Sequence, residues 1–390
     1  MNMQKILLIM GLAGFVVMAD NWVVSPILPA IAKDLGITIP QAGILITSYM
    51  IPFGLFQLIF GPLADRYGKK LVINSALLLF TVSTFLCAIA QGVGDLAVYR
   101  ALTGIFAASV MPISLALIGD LFPMEQRQQA IGTFMGISFL GQGVSMALGG
   151  SIAYFVSWRG VFLVYSILAL IVAILYYFAG RRINSPGNPN SQFIKPYWEL
   201  LSHGKTAGTY LTVLLEGIMI VGSFSYFGGF IAKNFHFNYL TIGLIMTGFG
   251  VMAVIGGRIS GKLANKFGRK NLITNGLILG FLADILLALW GNSLIIVIIS
   301  IAAMGLAFML VHSTLLTIAT GFAKMARGAA MSLVAFFFMG GGGVGTSIGA
   351  RIISAANFEK LFLVYGIGLL VLAFLAKVLV TDLGEVKAGM

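Results

Sequence analysis

Twelve apolar runs, separated by short hydrophilic loops, constrain this chain more than any other feature. They fall at roughly 6–31, 41–62, 71–91, 96–121, 129–152, 159–180, 207–232, 240–261, 271–290, 293–320, 329–353 and 359–380. About 20 apolar residues in a helix match the hydrocarbon thickness of a bilayer. An open strand would leave its backbone groups unpaired in lipid, whereas a helix pairs its own, so each run reads as a helix. Charged residues make up only 9% of the 390-residue chain, against about 25% in soluble domains. With a mean hydropathy of +1.01, the chain has too little polar surface to solvate a globule of this length. A soluble enzyme, a secreted disulfide scaffold and a disordered chain are excluded. The fold class is an all-α polytopic membrane protein. The one cysteine, Cys87, lies inside an apolar run and supports no disulfide framework.

The net charge of +12 is confined mostly to short loops, which argues against nucleic acid as a partner. With the N-terminus placed in the cytoplasm, 17 of the 24 lysines and arginines fall on the cytoplasmic side. Five (Lys33, Arg159, Lys233, Arg351 and Lys360) fall outside, and Arg100 and Arg258 lie within spans. By the positive-inside rule both termini are cytoplasmic. Met1 to Lys5 and the apolar run after it imitate a signal peptide, but without a small-x-small cleavage site they read as an uncleaved first span.

The longest hydrophilic stretch, 181–206, is rich in proline, glycine, asparagine and serine and reads as a cytoplasmic linker. It divides the chain into an N-terminal half, 1–180, and a C-terminal half, 207–390. The halves repeat at an offset of 200 residues. Gly61-Pro-Leu-Ala-Asp-Arg-Tyr-Gly-Lys-Lys70 aligns with Gly261-Lys-Leu-Ala-Asn-Lys-Phe-Gly-Arg-Lys270, and Phe162-Leu-Val-Tyr165 with Phe362-Leu-Val-Tyr365. Gly141, Gly143 and Gly149 recur as Gly341, Gly343 and Gly349, and Gly43 and Thr47 as Gly243 and Thr247. Two parallel six-helix repeats, each starting on the same side, form a transporter architecture.

The Gly61–Lys70 segment resembles the loop signature of the major facilitator superfamily, with Asn265 replacing the acid in its second copy. The resemblance covers the whole chain and implies the major facilitator fold of 12 helices in two six-helix pseudo-repeat halves. It implies a cytoplasmic gating motif of Gly61, Asp65, Arg66, Gly68, Lys69 and Lys70, with Asp65 facing the start of span eleven near Gly328. Asp120 and Arg127 resemble the acid and base that join this network. The alternative is an ordinary basic loop that only sets orientation. Arg100-Ala-Leu-Thr-Gly104 resembles the family's span-four arginine motif, associated with proton coupling; an arginine snorkelling to the outer headgroups is the other reading. Gly136–Gly150 resembles the antiporter signature, but Ser145-Met146 stand where glycine-proline is expected, which weakens antiport and leaves symport open. Gly340, Gly342 and Gly345 fit the letters of a dinucleotide fingerprint inside a span, with no preceding strand, and carry no such meaning.

Ionisable residues within spans are functional candidates by default. Asp20 lies about 22 Å along its helix from Lys5, and Glu216 about 16 Å from Lys205. Neither has an obvious basic neighbour in sequence. Asp20 sits in Ala19–Pro29, which resembles the span-one motif of drug exporters, and its two prolines loosen the helix beyond the acid. Glu216 resembles in placement an acid used by multidrug exporters. Asp284, six residues before Trp290, reads as an outer-interface carboxylate. His312, equivalent to Pro112 in the repeat, reads as a coupling residue or as a packed, hydrogen-bonded histidine. Asn21, Trp22, Tyr49, Phe53, Gln142 and Tyr226 are the cavity candidates. Three dispersed histidines (His203, His236, His312) suggest no metal site.

The expectation is a secondary transporter of the cytoplasmic membrane that works by alternating access. It exports small amphipathic or cationic compounds in exchange for protons, in the manner of multidrug efflux. Asp20, Glu216, Arg100 and His312 handle the proton and the substrate. No cofactor is expected, since no nucleotide motif is present and a proton gradient supplies the energy. The chain is expected not to be an enzyme. It acts as a monomer whose partners are a small-molecule substrate, the lipid bilayer and protons. The alternatives are export or symport of one metabolite, such as a sugar, amino acid or siderophore, and a transporter-like receptor, for which short tails leave no signalling domain.

Overall fold

A computed structural model describes residues 3–180, 187, 195–202, 204–322 and 327–381. Among them, twelve helical spans are long and apolar enough to cross a membrane. In chain order these are Met3–Trp22, Ile39–Tyr67, Lys69–Ala88, Val93–Leu121, Gln129–Phe155 and Trp158–Gly180. The second half comprises Thr206–Phe235, Tyr239–Phe267, Arg269–Trp290, Leu294–Phe322, Gly328–Ala355 and Phe358–Leu379. We call these spans one to twelve. The end of the bundle that carries the central linker is the linker end, and the opposite end the distal end.

Four spans are interrupted: span two briefly at Gly43, and three others more deeply. Pro26 has no N–H to give the Trp22 carbonyl, and the helix of span one stops at Trp22 before resuming as Val24–Asp34. Pro112 does the same to Ala108, and span four divides into Val93–Ala107 and Val110–Leu121. Span seven contains a π-turn, Gly217–Val221, directly after Glu216, and a break at Ser225–Tyr226. π-Turns are rare and concentrate at functional sites.

The 200-residue repeat is visible in geometry. Gly68 and Gly268 end spans two and eight with φ of 96° and 85°, a conformation that glycine adopts at little cost and that strains a residue with a side chain. The Thr38 and Asn238 side chains cap the starts of spans two and eight through Gln41 and Thr241 N–H. The Tyr165 hydroxyl donates to the Ser145 carbonyl at 3.4 Å, and Tyr365 donates to the Gly345 carbonyl.

Within the first half, span one packs on span five, span two on span four and span three on span six; in the second, span eight packs on ten and nine on twelve. The halves meet mainly through spans two and eleven and spans five and eight. At the distal end this contact is backbone against backbone. A Cβ on Gly150 would lie 2.5 Å from the Tyr239 carbonyl oxygen and 2.9 Å from Gly243 Cα. Nearby, Thr47 Oγ1 bonds the Gly343 carbonyl (3.2 Å) and Ser347 Oγ (3.0 Å). Small residues at such crossings let helices approach where lipid gives no hydrophobic drive.

Most of the linker, 181–186, 188–194 and His203, lies outside the described residues. The described part departs from a plain loop, because Lys195–Ser202 is a helix. Pro196 in its first turn suits a helix start. Tyr197 anchors it, donating to the Leu58 carbonyl of span two at 3.1 Å and bonding Ser332 of span eleven. Burial, aided by the Asp65 carboxylate, pushes the Tyr197 hydroxyl up to about 12.

Candidate translocation site

Breaking span one at Trp22 leaves Asp20 in the last turn of its first helix, aimed into the N-terminal half. It is fully buried there and paired. Arg100 of span four donates to Asp20 Oδ2 at 2.7 Å and to its carbonyl at 3.4 Å. Arg100 is 1% exposed, and its guanidinium lies 4.3 Å over the Tyr49 ring and 5.6 Å from that of Phe162. Phe53 stacks on Tyr49 at 5.6 Å. Asp20 Oδ1, Arg100 Nε and the Tyr49 hydroxyl have no protein partner. One expectation is corrected: Asp20 is not an unpartnered acid. For Arg100 the alternative of snorkelling to the surface falls, because a partner 80 residues away holds it inside the bundle.

The second half has its own pair at a non-equivalent position. Glu216 of span seven is fully buried, and its Oε2 lies 3.3 Å from His312 Nδ1 of span ten. Glu216 Oε1 has no partner. The expectation of an acid without a basic neighbour is corrected here as well. The imidazole ring lies 4.2 Å from Phe338 and 5.4 Å from Phe308. At the 200-residue offset, Asp20, Arg100, Glu216 and His312 correspond to Ile220, Ser300, Val16 and Pro112. The two halves are alike in shape and different in chemistry.

Trp22 joins the two pairs. Two residues beyond Asp20, it crosses from the first half into an aromatic wall of the second, 4.9 Å from Phe224 and 5.7 Å from both Phe249 and Phe308. Phe308 stacks on Phe249 and Phe338 and lies one turn from His312. Beside it, Asn21 Nδ2 points to Met339 Sδ at 3.9 Å. An acid–base pair thus lies on each side of an aromatic layer between the halves. Sequence reasoning did not single out Phe249, Phe308 or Phe338. The repeat offset was a usable signal for Phe249, which matches Tyr49; for the other two there was none.

The other candidates divide. Gln142 is buried, with Nε2 unpartnered. Tyr226 does not belong to the central layer. It sits in the distal seal, where its hydroxyl donates to the Thr346 carbonyl at 2.7 Å, because span seven turns at this residue. In the same seal Ser25 Oγ donates to the Phe224 and Ser225 carbonyls at 2.8 and 3.1 Å. Asp284 is not an interface carboxylate: it is 0% exposed and accepts from Ser223 Oγ at 2.6 Å.

At the linker end, Gly61 marks where Tyr197 crosses span two, and Gly68 makes the turn. Lys69 bridges two acids, Asp120 at 2.6 Å and Asp65 at 3.8 Å. Arg66 lies over the neighbouring Tyr67 ring, and Arg127 Nε donates to the Phe122 carbonyl of its own loop at 2.9 Å. Lys70 lines a membrane-facing groove of about 750 Å³ between spans three and six. Residues 323–326 and the Arg327 side chain, where the expected partner of Asp65 begins, lie outside the described residues.

The comparisons with known proteins agree with this architecture. The Major Facilitator Superfamily profile matches residues 10–232 and 209–388. The uncharacterized MFS-type transporter YceJ of Bacillus subtilis (strain 168) is 30% identical over 272 residues, 69% of this chain and 69% of that one. Multidrug resistance protein 3 of the same organism is 33% identical over 161 residues, 40% of this chain and 31% of that one. The crystal structure of a bacterial homologue of the human lysosomal transporter Spinster, inward-facing and occupied, covers 96% of each chain with a TM-score of 0.78 and 16% identity, a likeness of fold. With two six-span repeats meeting at a polar and aromatic centre, and a family profile spanning both, this chain belongs to the major facilitator superfamily of membrane transporters.

Proposed function

We propose that the chain exports small amphipathic or cationic compounds across the cytoplasmic membrane in exchange for protons. One observation carries this reading: two buried acid–base pairs, Asp20–Arg100 and Glu216–His312, flank the aromatic layer around Trp22. The excess of lysine and arginine at the linker end supports placing that end in the cytoplasm. A lipophilic cation entering from there meets ring faces, which attract it, and the Glu216 carboxylate, which neutralises it. When the halves rock to open the distal end, a proton binds Glu216. The carboxyl loses its charge and its hold on the cation, and the solute leaves outward. The proton then departs to the cytoplasm, and His312 recovers its partner. Each proton descending 100 mV supplies about 2.3 kcal/mol. Asp20–Arg100 serves the same cycle from the first half, since a proton on Asp20 releases Arg100.

The same polar pairs also suit a hydrophilic metabolite, and Ser145-Met146 in place of glycine-proline weakens antiport and leaves symport of such a metabolite open as the second reading. The test is ethidium uptake into inverted vesicles under an imposed pH gradient, expressed per folded molecule. Glu216→Gln and Asp20→Asn are each expected to abolish the gradient-driven component. Full uptake by both variants defeats the assignment.

A further inference from the structure

Asp284 is a buried titratable group that the cycle above does not use. It lies on span nine, toward the distal end. Its Oδ1 accepts one hydrogen bond, from Ser223 Oγ at 2.6 Å, and its Oδ2 has no partner. Its side chain is held in a close-fitting niche: a Cβ on Gly366 of span twelve would lie 3.2 Å from Asp284 Cβ. No lysine, arginine or histidine forms an ion pair with it among the described residues. The titratable neighbour is Tyr365 of span twelve, whose hydroxyl is already donated to the Gly345 carbonyl; span seven presents Ser223. An ionised carboxylate held by one hydroxyl, with no counter-charge, is far costlier in such a site than a neutral acid. The niche therefore suits the protonated form, and ionisation requires water to reach Oδ2.

The position of Ser223 gives that proton a consequence. It follows the π-turn Gly217–Val221 by two residues and directly precedes Phe224 and Ser225. The carbonyls of those two residues accept the Ser25 hydroxyl across the distal seal. Span seven is thus fixed at one point to Asp284 within its own half and at the next residues to span one of the other half. Opening the distal end must break the second attachment and shift the first.

We propose that Asp284 is a second proton-binding site of the transporter, loaded from the distal compartment and tied through Ser223 to the distal seal. The proton comes from water, binds Oδ2 as the seal closes, and returns to water when span seven moves and Oδ2 is wetted. The role in transport rests on the proton-coupled reading above; the occupancy of the site does not.

Two measurements separate these. In infrared difference spectra of the full-length protein in liposomes after a pH jump, the wild type is expected to show a protonated-carboxyl band that Asp284→Asn lacks and Glu216→Gln keeps. Asparagine still accepts the Ser223 hydrogen bond, so the niche is preserved. Ser223→Ala must shift the band, since it removes the one bond to Oδ1; this arm stands even where Asp284→Asn fails to fold. An unchanged band in either variant overturns the site. Because Asp284 loads from and releases to the distal compartment, in proteoliposomes Asp284→Asn is expected to keep the wild-type ratio of protons to ethidium and to lose the dependence of the transport rate on distal pH, and a wild-type dependence on distal pH overturns its role in the cycle. If wild-type protein moves ethidium without protons, the coupled reading falls, while the infrared band still decides the site.

Discussion

Replacing Asp20 by asparagine tests whether the first half is built around a charge pair. The change keeps the shape of the side chain and one acceptor, so packing is hardly altered. It removes the negative charge 2.7 Å from a guanidinium that is 1% exposed and cannot shed its proton. Removing one partner of a buried pair costs about 3–5 kcal/mol, because the other charge is left uncompensated. The Tyr49 face 4.3 Å from Arg100 persists in the variant and, when desolvated, attracts a cation by about 2 kcal/mol. The retained amide acceptor also helps, so the lower end, about 3 kcal/mol, is expected. The double variant Asp20→Asn, Arg100→Gln removes both charges and lets two amides bond. It should recover to within about 1 kcal/mol of wild type, since a buried pair is often close to neutral against an uncharged replacement. Thermal unfolding of purified protein, followed by size-exclusion recovery after heating, measures all three. A single variant as stable as wild type refutes the pairing, and so does a double variant no better than the single.

Three further outcomes follow from the same geometry. Gly150→Val places a side chain against the Tyr239 carbonyl and Gly243 Cα, so the distal seal cannot close; thiol labelling of a cysteine at Ser25 should rise from nearly none to near completion, and unchanged protection contradicts the seal. Lys69→Ala leaves Asp65 and Asp120 without the ammonium between them, at a cost of about 1 kcal/mol or less for so exposed a pair; transport should become faster or slower without loss of folding, whereas wild-type transport rates refute a gating role. Asp34 at the distal end is held below its usual value by hydrogen bonds from Arg159 and then Trp158. A depressed carboxyl contributes stability above its unfolded value, near pH 4, that is lost as pH falls through the folded value. Hydrogen-exchange protection factors at residues 30–36, corrected for the intrinsic rate, should therefore fall below about pH 4 in wild type and stay constant there in Asp34→Asn.

The spans were legible because lipid leaves the backbone one solution, and the loosening of span one beyond Asp20 because of its prolines; the break in span four after Ala107 was not anticipated, although Pro112 removes a specific hydrogen bond there. The repeat was legible down to the two turn glycines, Gly68 and Gly268. Pairing was not. Asp20 and Arg100 stand 80 residues apart, and Glu216 and His312 96 apart. A helix that is apolar on all sides does not reveal in its sequence which way a given residue points. The same ambiguity placed Asp284 at an interface when it is fully buried, and Tyr226 in the centre when it seals the distal end. The Lys195–Ser202 helix escaped notice because the linker's composition outweighs eight residues of amphipathic pattern.

In the proposed cycle, solute moves outward against an inward proton flux. Purified protein in liposomes, with the pH gradient imposed in each direction and ethidium as the probe, tests it most directly. Ethidium should concentrate on the acidic side of the membrane, reverse when the gradient is reversed, and stop when a protonophore is added. Equal accumulation in both gradients, or accumulation that survives the protonophore, would contradict the account.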